Sequence, residues 1–109
     1  MAYVVIVTER AASDLKESVE WWSRERSREQ AARWYTGIRQ AIDSLANQPE
    51  RFSFSAENNE FGIELREILF GLSTRPTHRI VFTIVRQTVV VLTIRHAAQN
   101  RIQPDDFLP

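Results

Sequence analysis

The chain is 109 residues long, 43% hydrophobic and 26% charged, which is the make-up of one globular domain of ordinary size. It has no cysteine, so disulfide frameworks, thiolate metal sites and cysteine nucleophiles are excluded. Fourteen basic residues balance fourteen acidic ones for a formal net charge of zero, which removes the broad basic field of a nucleic-acid-binding domain but not a local basic site.

Apolar runs are short, far from the roughly 20 residues of a membrane helix. Residues 3–7 are too few for a signal-peptide core and follow no basic residue. A reducing, cytoplasmic setting without membrane association is the expectation. Of the basic residues only Lys16 is lysine. Such a bias fits a GC-rich genome, and it equally suits the bidentate grip of guanidinium on carboxylate or phosphate.

Residues 3–7, Tyr-Val-Val-Ile-Val, form a β-branched run that predicts a buried strand. Thr8 can cap a following helix, with Glu9 in the first turn where the helix dipole favours negative charge. Over 11–26 the apolar residues Ala12, Leu15, Val19 and Trp22 recur at three- and four-residue steps, one face of an amphipathic helix. Ser27 and Gln30 have capping-box spacing for a second helix. Its stripe is Ala31, Trp34, Ile38, Ala41, Ile42 and Leu45, and Asn47-Gln48-Pro49 ends it.

Residues 50–60 are polar and aperiodic, a loop. The period then changes from 3.6 to two, which predicts strands over 61–70, 78–85 and 88–95. Arg86-Gln87 makes the last tight turn without the glycine or asparagine such turns favour. The residues from 97 on form a short turn or an extended arm. The order β-α-α-β-β-β predicts an α+β fold, a helical hairpin on one face of a mostly antiparallel sheet. The other face is then exposed, or covered by something else.

Neither a phosphate-binding glycine loop, a zinc-protease motif nor a serine nucleophile elbow occurs. Charged residues on the strands remain. Glu64 and Arg66 share a strand face, Arg79 opens the next strand and His96 closes the last, so consecutive hairpins would bring all four towards one edge of the exposed face. By strict alternation His96 sides with Val90, Leu92 and Ile94. Glu64 and Arg66 equally read as a surface ion pair worth about 0 to 1 kcal/mol. The sharper reading is a nucleotide site. A histidine and a carboxylate suit proton transfer near neutral pH, and arginines suit the charge that builds on a phosphate under attack.

Three motifs in order, Glu64-Leu65-Arg66, then His78-Arg79-Ile80-Val81-Phe82-Thr83-Ile84, then Val91-Leu92-Thr93-Ile94-Arg95-His96, carry a resemblance to the RelE/ParE superfamily of bacterial toxins, the plasmid-stabilisation type of type II toxin–antitoxin modules. The early Ala11-Ala12-Ser13-Asp14-Leu15 segment and the helix end from Leu45 to Pro49 fit it as well. The resemblance implies a single toxin domain over 1–109 that inhibits growth and is neutralised by a cognate antitoxin, whose C-terminal segment wraps it as helix and extended strand. It implies no cofactor and no metal. A ParE-like toxin would block DNA gyrase. The alternatives are a RelE-like, metal-independent endoribonuclease cutting ribosome-bound mRNA, and an inactive member that only binds antitoxin. In the nuclease, Arg66, Arg79 and His96 match the family's catalytic positions, with Glu64 a candidate base.

Two departures stand out. His78 replaces the family's common tyrosine, keeping an amphipathic ring or adding a titratable group. The zero net charge departs from the basic character of the ribosome-dependent nucleases and tilts the balance towards gyrase. Trp22 and Trp34 are expected in the core. Trp21 and Tyr35, beside the apolar stripes, are expected at an interface. Arg24, Arg26, Arg28, Arg33 and Arg39, offset by glutamates, read as a solvated helix face.

Overall fold

The computed structural model describes residues 2–60 and 62–97. Strand β1 (Val4–Val7) leads into helix α1 (Glu9–Glu25) and helix α2 (Arg28–Asp43). Thr8 Oγ1 accepts from the Ala11 N–H and Ser27 Oγ from the Gln30 N–H, each satisfying a donor that the first helical turn leaves without a partner. The Thr8 cap starts α1 at Glu9, two residues ahead of the stretch 11–26 expected from periodicity. After α2 the chain tightens into a 3-10 turn, Ser44–Ala46.

The polar stretch expected as a plain loop has its own order. It forms 3-10 turns at Pro49–Arg51 and Asn58–Glu60 and an isolated antiparallel bridge between Phe54 and Arg66. The strand expected over 61–70 is therefore only Arg66–Phe70, β2. The backbone of Leu65 is already in use: Ser55 N–H donates to its carbonyl, and its own N–H donates to Asn58 Oδ1. Strands β3 (His78–Val85) and β4 (Thr88–His96) complete the sheet. The end of the chain, expected as a turn or arm, lies outside the described residues from 98 onward.

The sheet order is β1-β4-β3-β2, with β1 parallel to β4 and the two hairpins antiparallel. The helical hairpin packs on one face. Leu15, Trp34, Ile38 and Ile42 meet Ile80, Phe82, Val89, Val91 and Ile94 in the main core, and Trp22 packs against it. A Cβ on Gly37 would stand 2.6 Å from the Phe70 ring, so α2 lies against β2 at a distance only a bare backbone permits. On the opposite face Leu65 and Val81, with Leu92 beside them, form a second small cluster. That face is thus partly covered by the chain's own polar stretch, while Val4, Ile6, Leu69 and Val85 stay exposed.

A β-bulge decides which residues share a face. Phe82 pairs with Val91 and Val81 with Thr93, leaving Leu92 as one extra residue in β4. Strict alternation would group Val90, Leu92, Ile94 and His96; the bulge splits that group. Leu92 packs with Val81 on the far face, whereas Ile94 joins the helix-side core. His96, two residues on, turns towards the helices with it. Among the described residues no helix is long and apolar enough to cross a membrane.

Candidate functional site

The four charged residues expected to converge do not. Arg66 lies two and four residues from Ile68 and Phe70, which pack against the helix-side core, and so shares their face. Arg79 pairs with Leu69 and has the parity of Val81, which puts it on the opposite face. Along β3, Arg66 is level with Phe82 and His96 with His78, about 13 Å apart by strand rise. The expectation of one cluster at one edge is therefore corrected. It assumed that every charge left over from the core would fall on the same face.

Each arginine is engaged locally. Arg66 Nη1 donates to the carbonyls of Phe52 at 2.6 Å and Glu50 at 2.9 Å, and its guanidinium lies 4.3 Å from the Phe54 ring centre. It ties the polar stretch to the start of β2. Glu64, 62% exposed, approaches it only to 4.0 Å. Arg79 grips both oxygens of Glu57, at 3.1 and 2.9 Å, and reaches Glu67 Oε1 at 3.0 Å. The hydrogen bonds to Glu57 hold the Arg79 guanidinium above its ordinary pKa, against the opposing effect of burial. Glu57 is 1% exposed. Sequence reasoning missed it, because a carboxylate in an aperiodic polar stretch carries no periodic signal of burial.

His96 lies elsewhere, in an open cleft between α1 and the end of β4. Strand β1 stops at Val7 opposite Val91, so among the described residues β4 continues without a strand on that side. The cleft, about 590 Å³, is walled by Arg10, Asp14, Glu17, Trp21, Trp22 and Arg26 from α1 and by His78 and the β4 residues Thr93 to His96. Asp14 Oδ2 accepts from the Ile94 N–H at 3.0 Å and from Thr93 Oγ1 at 2.7 Å. Its other oxygen is 3.4 Å from Arg10 Nε. The only trace of this role in the sequence is that Asp14 sits one residue before the core residue Leu15.

His78 and His96 are cross-strand partners with ring centres 5.4 Å apart. His78 is buried beside Trp34, whose Nε1 donates to His78 Nδ1 at 3.4 Å; the Thr77 hydroxyl is 2.8 Å from the same nitrogen. Burial pushes the His78 pKa down to about 4, and the neighbouring His96 adds a smaller push. His78 is therefore neutral at pH 7 and serves as an acceptor for the core indole. Of its two sequence readings, the kept ring dominates. Trp21 and Tyr35 are 43% and 44% exposed; Arg24, Arg26, Arg28 and Arg33 face solvent, whereas Arg39, expected on the same solvated face, is half-buried. Among the described residues no group of three or more acidic or histidine side chains could hold a metal ion.

This architecture has known counterparts. A chain from the chromosomal ParDE toxin–antitoxin system of P. aeruginosa superposes with a TM-score of 0.69 at 16% identity, covering 87% of this chain and 96% of that one. A chain of the RelBE2 toxin–antitoxin complex of Mycobacterium tuberculosis gives 0.54 at 21% identity, covering 88% and 99%. At such identities the likeness is one of fold. No curated protein matches the sequence significantly. The model of the ParE toxin of type II toxin–antitoxin systems matches residues 5–101, nearly the whole β-α-α-β-β-β frame. The chain belongs to the ParE toxin family of type II toxin–antitoxin systems, within the RelE/ParE superfamily.

Proposed function

We propose that this toxin acts in the bacterial cytoplasm by binding: it blocks DNA gyrase by occupying a protein surface, and a cognate antitoxin neutralises it. The observation that carries this reading is the dispersal of Arg66, Arg79 and His96. Transition-state charge on a phosphate needs cations preorganised around one point. Here Arg66 and Arg79 stand on opposite faces, each held by partners of its own. The zero net charge supports it further, since affinity for nucleic acid rests largely on cations that displace counterions from phosphate.

One observation favours the second reading, an endoribonuclease using Arg66, Arg79, His96 and Glu64: His96 lies in an open cleft beside Arg10, Arg26 and Arg95. A single induction experiment separates the two. Expected are growth arrest with uncut mRNA by primer extension, together with loss of supercoiling when purified toxin is added to gyrase. Undiminished supercoiling at excess toxin, with new mRNA ends that vanish in His96→Ala, would replace the first reading with the second. Antitoxin binding without growth arrest would leave only the inactive member.

A further inference from the structure

The outer edge of β1 carries backbone groups with nothing beside them. Val4 N–H donates to the Gln87 carbonyl at 2.9 Å and Thr8 N–H to the Val91 carbonyl at 3.1 Å, so the even-numbered residues turn their backbone towards β4. The alternate residues Val5 and Val7 turn theirs outward. On that side Tyr3 N–H is taken by the Ala46 carbonyl at 2.8 Å, and among the described residues no strand lies beyond β1. Folded proteins usually blunt such an edge with charge, proline or a bulge. Residues 3–7 have none of these. Their far face is apolar as well: Val4 and Ile6 are exposed, as is Val85, which lies level with Val4 across Thr88.

We infer that β1 is the contact between two copies of this chain, pairing antiparallel with β1 of the second copy across a two-fold axis at Ile6 and joining two sheets into one. The groups left over select the register. With Tyr3 N–H taken, only Val5 and Val7 offer both donor and acceptor, and an axis at Ile6 sets Val5 of each copy opposite Val7 of the other. Each such pair exchanges both of its N–H···O bonds. Ile6 then meets Ile6 of the second copy in a pair without hydrogen bonds, where side chains stand closest. One patch meeting itself is what two-fold symmetry demands. Charge also favours a copy over a charged partner. The net charge of zero leaves no overall repulsion between copies. On the helix side Val7 borders a groove with Lys16, Glu20 and Arg39 in its walls, so both signs are present for a copy to match, and a segment of a single sign finds no uniform field. The pairing is independent of which target the toxin blocks.

The lack of cysteine makes a thiol test direct. Ile6→Cys puts one thiol per copy at the axis, with Cα atoms about 4.5 Å apart, inside the roughly 4.4–6.8 Å that a disulfide spans. Val4→Cys, exposed on the same face, stands about 13 Å from its counterpart by strand rise. Under mild oxidation of the full chain, Ile6→Cys should form a linked dimer about tenfold faster than Val4→Cys or better. The unaltered chain should sediment as a dimer at high concentration, with amide exchange at Val5 and Val7 slowing as concentration rises. Ile6→Lys, a charge at an exposed edge position, should raise the dissociation constant about tenfold or more. Sedimentation as a monomer at every concentration overturns the inference and needs no variant to fold. Equal cross-linking of the two thiol variants marks random collision and overturns it as well. Slow exchange at Val5 and Val7 that ignores concentration means that the edge is closed within one copy, and protection seen only with antitoxin gives the edge to that partner; either result removes the dimer.

Discussion

His78 shows how one side chain exchanges chemistry for packing. Its ring lies 4.9 Å from that of Trp34, and its Nδ1 can accept the indole proton only while it is unprotonated. The folded protein holds its pKa near 4, against 6.5 for the free group. Between those values the unfolded chain binds the proton more readily than the folded one, so stability falls as the pH drops from about 6.5 to about 4 and levels off below. Above 6.5 the group is neutral in both states and contributes no slope. The full span amounts to about 3 kcal/mol, taking 1.36 kcal/mol per pKa unit. His78→Asn keeps an acceptor near Nδ1 but does not titrate. Urea midpoints at pH 7, 5.5 and 4.5 should therefore fall less steeply in the variant than in the parent. Parallel pH profiles would show that His78 does not titrate in this window. From the sequence this position was legible only as a ring in place of tyrosine, because burial beside Trp34 depends on a partner 44 residues away.

Among the elements, legibility followed the strength of the local pattern. Strand β3 was bounded to the residue and α2 was placed by its cap, because a continuous apolar run and a serine at capping distance are local signals. The bulge at Leu92 was not legible. A continuous run of aliphatic and threonine residues looks the same with or without an extra residue, and only the pairing of Val81 with Thr93 reveals it. The turn between β3 and β4 shows a conflict that the sequence did announce. Arg86 sits at φ 57°, a left-handed conformation that costs a side-chain-bearing residue roughly 1–2 kcal/mol and that asparagine and glycine tolerate. Arg86→Asn should stabilise the fold by about 0.5–1 kcal/mol and raise the thermal midpoint by a few degrees. An unchanged or lower midpoint would mean that the turn relaxes without strain. The side chain is exposed, so the change leaves the core untouched.

At the scale of the whole molecule, the sheet has two faces held by different physics. The helix face is closed by apolar packing. The far face is closed by the polar stretch before β2, pinned through Arg79 to Glu57, while Arg66, on the helix side, ties the same stretch to β2 through the carbonyls of Glu50 and Phe52. Removing one partner of a buried pair strands the other charge at a cost of about 3–5 kcal/mol, whereas replacing both with well-packed apolar groups is often neutral. Glu57 is 1% exposed and the Arg79 side chain 11%, so this asymmetry applies in strength. Arg79→Met alone should lose about 3–5 kcal/mol, a large part of the 5–15 kcal/mol that holds a typical domain together. Arg79→Met with Glu57→Met should recover most of it, the cycle showing strong coupling in denaturant melts. The same pair tells the two target readings apart. If Arg79 only pins the polar stretch, the refolded double variant still arrests growth. If Arg79 holds a phosphate, the double variant folds and is inert. A single Arg79 variant decides nothing, because unfolding and loss of a reacting group both abolish toxicity. Restoring the fold without restoring the guanidinium separates them.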